Sequence, residues 1–197
     1  MKMISTLLIT VLYTVFVQNL VMSAGLGMSE AIRLAAKPEK FRSLAVMITA
    51  FSVITGTICG GLSRIPAIAT LPFAGRAAVY GGVLAAVYLL AALLLALLKP
   101  QDRRLRGTLG IAALNTLVYA VPFLNEIAAY SFAESLFSGL AAGAAFVLAA
   151  AVIGQGAKLL ANNSNIPPIF RGSPALFLYV GLISLGFLGF TGTSLFQ

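Results

Sequence analysis

VLAAVYLLAALLLALL, Val83–Leu98, is uncharged and apolar on every side. A membrane β-strand would be about half as long and would alternate in polarity. A helix apolar all round belongs in lipid or deep in a core, and about 20 residues carry a helix across a bilayer. Five further apolar segments flank it: Ile4–Leu26, Phe41–Gly60, Leu105–Leu124, Tyr130–Gly154 and Ala175–Phe190, with this one extending back to Ala77. The chain of 197 residues is 60% hydrophobic and 9% charged, with mean hydropathy +1.01. These numbers exclude a soluble domain. The expectation is an all-α, polytopic membrane protein of six helices, with the N-terminal segment retained as a helix, because a cleaved leader would precede a polar chain.

The net charge of +8 suggests nucleic acid until the cations are placed. Arg33, Lys37, Lys40 and Arg42 flank the first connection, Lys99, Arg103, Arg104 and Arg106 the third, and Lys158 and Arg171 the fifth. Lys2, Arg64 and Arg76 are left for the opposite side. Ten against three is a positive-inside asymmetry that puts both termini outside a bacterial-type inner membrane. The partner of this charge is the lipid bilayer, and no nucleic acid is expected.

Histidine is absent and cysteine occurs once, as Cys59. A disulfide within the chain is excluded, as is a Cys/His zinc set, and Cys59 reads as a small packed residue. Dinucleotide, phosphate-loop, zinc-protease and nucleophile-elbow signatures are missing, so no catalytic residue is assigned.

Internal similarity divides the chain. Ile65–Val83, IPAIATLPFAGRAAVYGGV, echoes Ile166–Leu182, IPPIFRGSPALFLYVGL, and Phe16–Val21, FVQNLV, echoes Ala112–Val118, AALNTLV. Each half holds three spans, so residues 1–98 and 99–197 read as a three-plus-three inverted repeat with interrupted helices 1 and 4. Asn19 and Asn115 then occupy matching polar positions. They either line a midplane site against exposed backbone or bond neighbouring helices. Gly25 and Gly27, one residue apart, mark a break before the first helix reaches the cytoplasmic surface.

Phe16–Ser29, FVQNLVMSAGLGMS, together with Ile166–Gly192, IPPIFRGSPALFLYVGLISLGFLGFTG, resembles the RnfA/NqrE family. Its members are the small six-helix subunits of the Rnf and sodium-pumping NADH:quinone oxidoreductase complexes. The C-terminal LISLGFLGFTG is nearer to RnfA, and FVQNLVM followed by LGM is nearer to NqrE. The resemblance spans the chain. It implies pairing with a sister six-helix subunit of opposite orientation, beside flavin and iron–sulfur subunits. It also implies a midplane [2Fe-2S] cluster, held by cysteines of the interrupted first and fourth helices, that relays electrons across the membrane. The family's Leu-Gly-Leu/Met-Cys here reads Leu26-Gly27-Met28-Ser29, and its Asn-Cys reads Asn115-Thr116. Ser29 and Thr116 thus stand where the cluster cysteines are expected, and neutral hydroxyls are poor replacements for thiolate iron ligands.

Two functions follow. The chain is a subunit of an ion-translocating electron-transport complex without a complete cluster site. Alternatively it is a stand-alone transporter or channel, whose gap between Ser29, Thr116, Asn19 and Asn115 offers hard oxygen ligands to an ion such as Na⁺. Among the acids, Glu126 flanks the outward connection and either lies in the headgroup region or, if buried, is an ion or proton candidate. Glu134 is expected near the headgroups, and Glu30 as a surface partner of Arg33. The Ala/Gly-rich Ala142–Leu159 is expected to pack closely against another helix or subunit.

Overall fold

The computed structural model describes residues 8–9, 11–36, 38–99 and 101–190. Lys2, Lys37, the start of the first span and the closing Thr191 and Gly192 lie outside them. A π-helical turn, Tyr13–Val17, leads into α1 (Leu20–Ser23) and α2 (Met28–Ala36). Then come α3 (Phe41–Leu62), α4 (Pro66–Ala69), α5 (Phe73–Leu98), α6 (Arg103–Ala113), α7 (Thr116–Ile127), α8 (Phe132–Ala161) and α9 (Ser173–Phe190). Every described element is helical. Five stretches are long and apolar enough to span a membrane, counting α6–α7 as one, and the bent pair Tyr13–Ser23 with Met28–Ala35 raises this to six.

Local chemistry sets the boundaries. At the start of α8, Ser131 Oγ accepts from the Glu134 amide while Glu134 Oε2 accepts from the Ser131 amide at 2.7 Å. This capping box satisfies two orphan donors at once. The Glu134 carboxylate, expected among headgroups, is therefore a helix-start ligand. Asp102 caps α6 through the Leu105 amide at 2.9 Å, and Pro66 opens α4 where no amide hydrogen is needed.

The spans sort into core and rim. About half of the most apolar window is buried in α3, in α6–α7 and in α8, against 6% in α5 and 11% in α9. The segment Val83–Leu98 thus lies mostly on the rim of the bundle rather than in its core. The core is built on close approach, since burial of apolar groups drives little association between helices already in lipid. Gly139 of α8 lies so near α3 that an added Cβ would come within 2.6 Å of Val53 Cα. Gly143 abuts Thr49, and Gly60 abuts Ser135 Oγ. Ala142, Ala145, Ala149 and Ala150 are buried in the same face, so the Ala/Gly-rich stretch meets α3 within this chain. Cys59 is buried in α3, unbonded to any other cysteine.

Candidate functional site at the paired helix breaks

The first span is interrupted twice. Gln18 leaves helical geometry (φ −96°, ψ 49°) and Asn19 is extended. Four atoms compete for the Asn19 amide, and it serves all of them. Oδ1 accepts from the Val21 and Met22 amides at 3.1 and 3.2 Å, capping α1. Nδ2 donates to Val15 O at 3.0 Å and to Ala145 O of α8 at 3.1 Å. The side chain is wholly buried. It bonds both the exposed backbone at the break and a neighbouring helix.

The second interruption falls at the glycines. Gly25 and Gly27 have φ of +71° and +76°, the left-handed region in which a Cβ is strained. The Leu26 amide donates back to Leu20 O at 3.1 Å, closing α1, and α2 departs at 87° to the first half. Gly25 faces open space, so its backbone angle alone asks for glycine. Gly27 has a second reason, because a Cβ there would stand 2.8 Å from Asn115 Oδ1.

That contact brings the two halves of the chain together. Between α6 and α7, Leu114 leaves the helix and Asn115 caps α7, its Oδ1 accepting from the Leu117 amide at 2.9 Å. The Gly27 amide donates to Thr116 Oγ1 at 2.9 Å. Ser29 Oγ donates to Glu30 Oε2 at 2.7 Å, and Asn115 Nδ2 donates to the same oxygen at 3.3 Å. Glu30, expected to pair with Arg33 at the surface, turns instead toward the opposite half. Its Oε2 is taken by Ser29 and Asn115, and no ion pair joins it to Arg33 among the described residues.

Of the residues singled out from sequence, Gly27, Ser29, Asn115 and Thr116 therefore converge. Gly25 borders them on the exposed side of the turn, and Asn19 belongs to a separate, sealed break. Ser29 and Thr116 are exposed, and Leu114 beside them is 84% exposed. The meeting point thus opens on the chain's surface. Two cavities flank it. One of ≈ 340 Å³ is lined by Glu30, Arg33, Lys40 and Thr108, and one of ≈ 420 Å³ by Thr116, Tyr119, Tyr88 and Leu84.

Glu126 lies at the far end of α7. It is half-buried in an ion pair with Arg76 of α5, and Tyr80 Oη donates to its other oxygen at 2.9 Å. The aromatic rings of Phe123 and Tyr80 pack edge to face beside it, 5.0 Å between centroids. This acid is held by a cation. One residue earlier, Asn125 is buried with both amide atoms lacking a protein partner, and the buried hydroxyls of Ser52, Thr55 and Ser135 are likewise unbonded. The sequence reading placed Glu30 at the surface with Arg33, and it passed over Asn125, Ser52, Thr55 and Ser135. Their signal was polar side chains inside otherwise apolar windows.

The donor set at the meeting point consists of a carboxylate, an amide and two hydroxyls, with Thr116 Oγ1 engaged by Gly27 and Ser29 Oγ by Glu30. It does not fit an iron–sulfur cluster, whose irons are held by deprotonated thiols.

A helical membrane protein with two broken spans that abut at its surface is the class this geometry defines. The family of Rnf-Nqr subunit membrane proteins matches residues 7–194, and the chain belongs to it. The NqrE subunit of the Na(+)-translocating NADH-quinone reductase of Hahella chejuensis is 30% identical over 92% of this chain and 94% of its own. Its counterpart in Marinobacter nauticus is 28% identical over 93% and 96%. The RnfA subunit of the Na(+)-translocating ferredoxin:NAD(+) oxidoreductase complex of Acetobacterium woodii is 26% identical over 96% and 99%. These relatives belong to multi-subunit complexes, which favours the complex-bound reading over the stand-alone transporter.

Proposed function

We propose that this chain is an integral-membrane subunit of an Rnf/Nqr-like ion-translocating electron-transport complex, lacking a complete [2Fe-2S] site of its own. The observation that carries the reading is the surface position of the joined breaks. Leu114, Thr116 and Ser29 are exposed where a lone membrane protein would bury a broken backbone, since unpaired polar groups are costly in lipid. A sister six-helix subunit of opposite orientation covers them, and flavin and iron–sulfur subunits supply the redox chemistry. The 420 Å³ groove beside Thr116 belongs to the same covered face.

The same reading takes residues 1–98 and 99–197 as inverted halves. In its support, Asn19 and Asn115 both adopt extended backbone at a break and both cap the helix that follows. The charge asymmetry supports a bacterial-type inner membrane with both termini outside.

Affinity purification of the tagged chain in mild detergent from its native membranes tests this. Recovery with a second six-helix protein and redox subunits is expected. Recovery alone, or only as a homo-oligomer, would overturn the reading.

A further inference from the structure

The joined breaks set two helix starts against each other. α2 begins at Met28 and α7 at Thr116, and the Gly27 amide on Thr116 Oγ1 fixes their ends together. Each start carries the positive end of a helix dipole. Two such ends in a poorly screened place call for negative charge. The thiolates that the family resemblance implies would bring it, whereas Ser29 and Thr116 bring none.

Glu30 does. It is the third residue of α2, where a carboxylate is best placed for that helix, and its Oε2 takes a hydrogen bond from Asn115, the cap of α7. Ser29 Oγ holds the same oxygen at 2.7 Å. One carboxylate thus reaches the starts of both halves. Arg33 and Lys40 line the cavity that Glu30 borders, so further positive charge surrounds it.

We propose that Glu30 is the built-in counter-charge of the two facing helix starts, so that this chain completes the break with its own carboxylate where relatives of the cluster-bearing kind use a metal centre. The inference rests on the cluster-less reading above. It makes Glu30 a positioning residue: it holds Asn115 and the glycine turn in register, and the exposed face keeps its shape for a partner without iron.

Thermal unfolding of the purified full chain in detergent is the first test. Glu30→Gln removes the charge and keeps the shape, and it should lower Tm by about 3–6 °C. Glu30→Asp keeps the charge on a shorter arm and should retain most of the stability. Glu39→Gln, at an exposed acid 3.8 Å from Arg104, should leave Tm unchanged. An E30Q shift no larger than that of E39Q, or an E30D loss equal to that of E30Q, would overturn the proposal.

Anaerobic incubation of the wild-type protein with ferrous iron and sulfide, followed by desalting, is the second test. The visible spectrum should stay blank, and a stable iron–sulfur absorption would overturn the proposal. Neither readout depends on partners, so failure of the co-purification leaves both standing.

Discussion

The two asparagine-capped breaks use the same device in opposite surroundings. Asn19 is sealed inside the bundle, and its amide satisfies four backbone groups, one of them 126 residues away in α8. Asn115 caps α7 through one amide and spends its Nδ2 on Glu30, next to residues that reach the surface. The difference separates structure from interface. A break that finds all its partners within the chain is complete. A break that ends at exposed hydroxyls has its remaining surface committed elsewhere.

Leucine at position 19 should therefore be the most damaging change. It would strand the Val21 and Met22 amides in a low-dielectric interior, at about 1–3 kcal/mol for each that finds no substitute, and would remove the bonds to Val15 O and Ala145 O. Even with relaxation, a loss of about 3 kcal/mol or more is expected, read as collapse of the monodisperse peak in detergent size exclusion. Leucine at position 115 should cost roughly half as much, since Asn115 caps one amide where Asn19 caps two, and its remaining bond goes to the half-buried Glu30. Equal losses would erase the distinction between sealed and open breaks.

The glycines give the next test. Gly27→Ala combines a left-handed φ with a Cβ 2.8 Å from Asn115 Oδ1, so about 2–3 kcal/mol is expected. Gly25→Ala meets nothing within 4 Å and carries only the backbone strain, about 1 kcal/mol. Chemical denaturation of the two variants side by side checks the order. If G25A proved the worse, the joining of the halves at Gly27 would have been assigned to the wrong residue.

Much of this is legible in the amino-acid order alone. Continuous apolarity in Val83–Leu98 marks a membrane helix, the paired glycines mark the bend, and the cation placement marks the loops. The family motif points to Ser29 and Thr116, and the structure places both where the two breaks meet. What sequence withholds is pairing across distance. Nothing local tells Glu30 to prefer Asn115, 85 residues on, over Arg33 one turn away. Glu126 likewise meets Arg76 and Tyr80 only because α5 and α7 lie side by side. The break at Gln18 is hidden for another reason, since a π-helical turn and an extended asparagine leave no glycine or proline behind them.

Asn125 supplies the smallest effect and the sharpest contrast with Asn19. Both are asparagines buried in the same bundle, yet the Asn125 side chain bonds to no protein group and packs against Gly56, whose added Cβ would lie 3.2 Å from its Nδ2. A buried amide without partners is a net cost, and replacing it with an apolar group of similar size removes that cost without stranding another group. Asn125→Leu should therefore change stability by about 1 kcal/mol or less, in the stabilising direction if the fit beside Gly56 is kept. Thermal unfolding against N19L decides the matter. A loss approaching that of N19L would mean that buried water bridges Asn125 to Ser135 and Ser52, and polar satisfaction would then extend through α3, α7 and α8 as it does around Asn19.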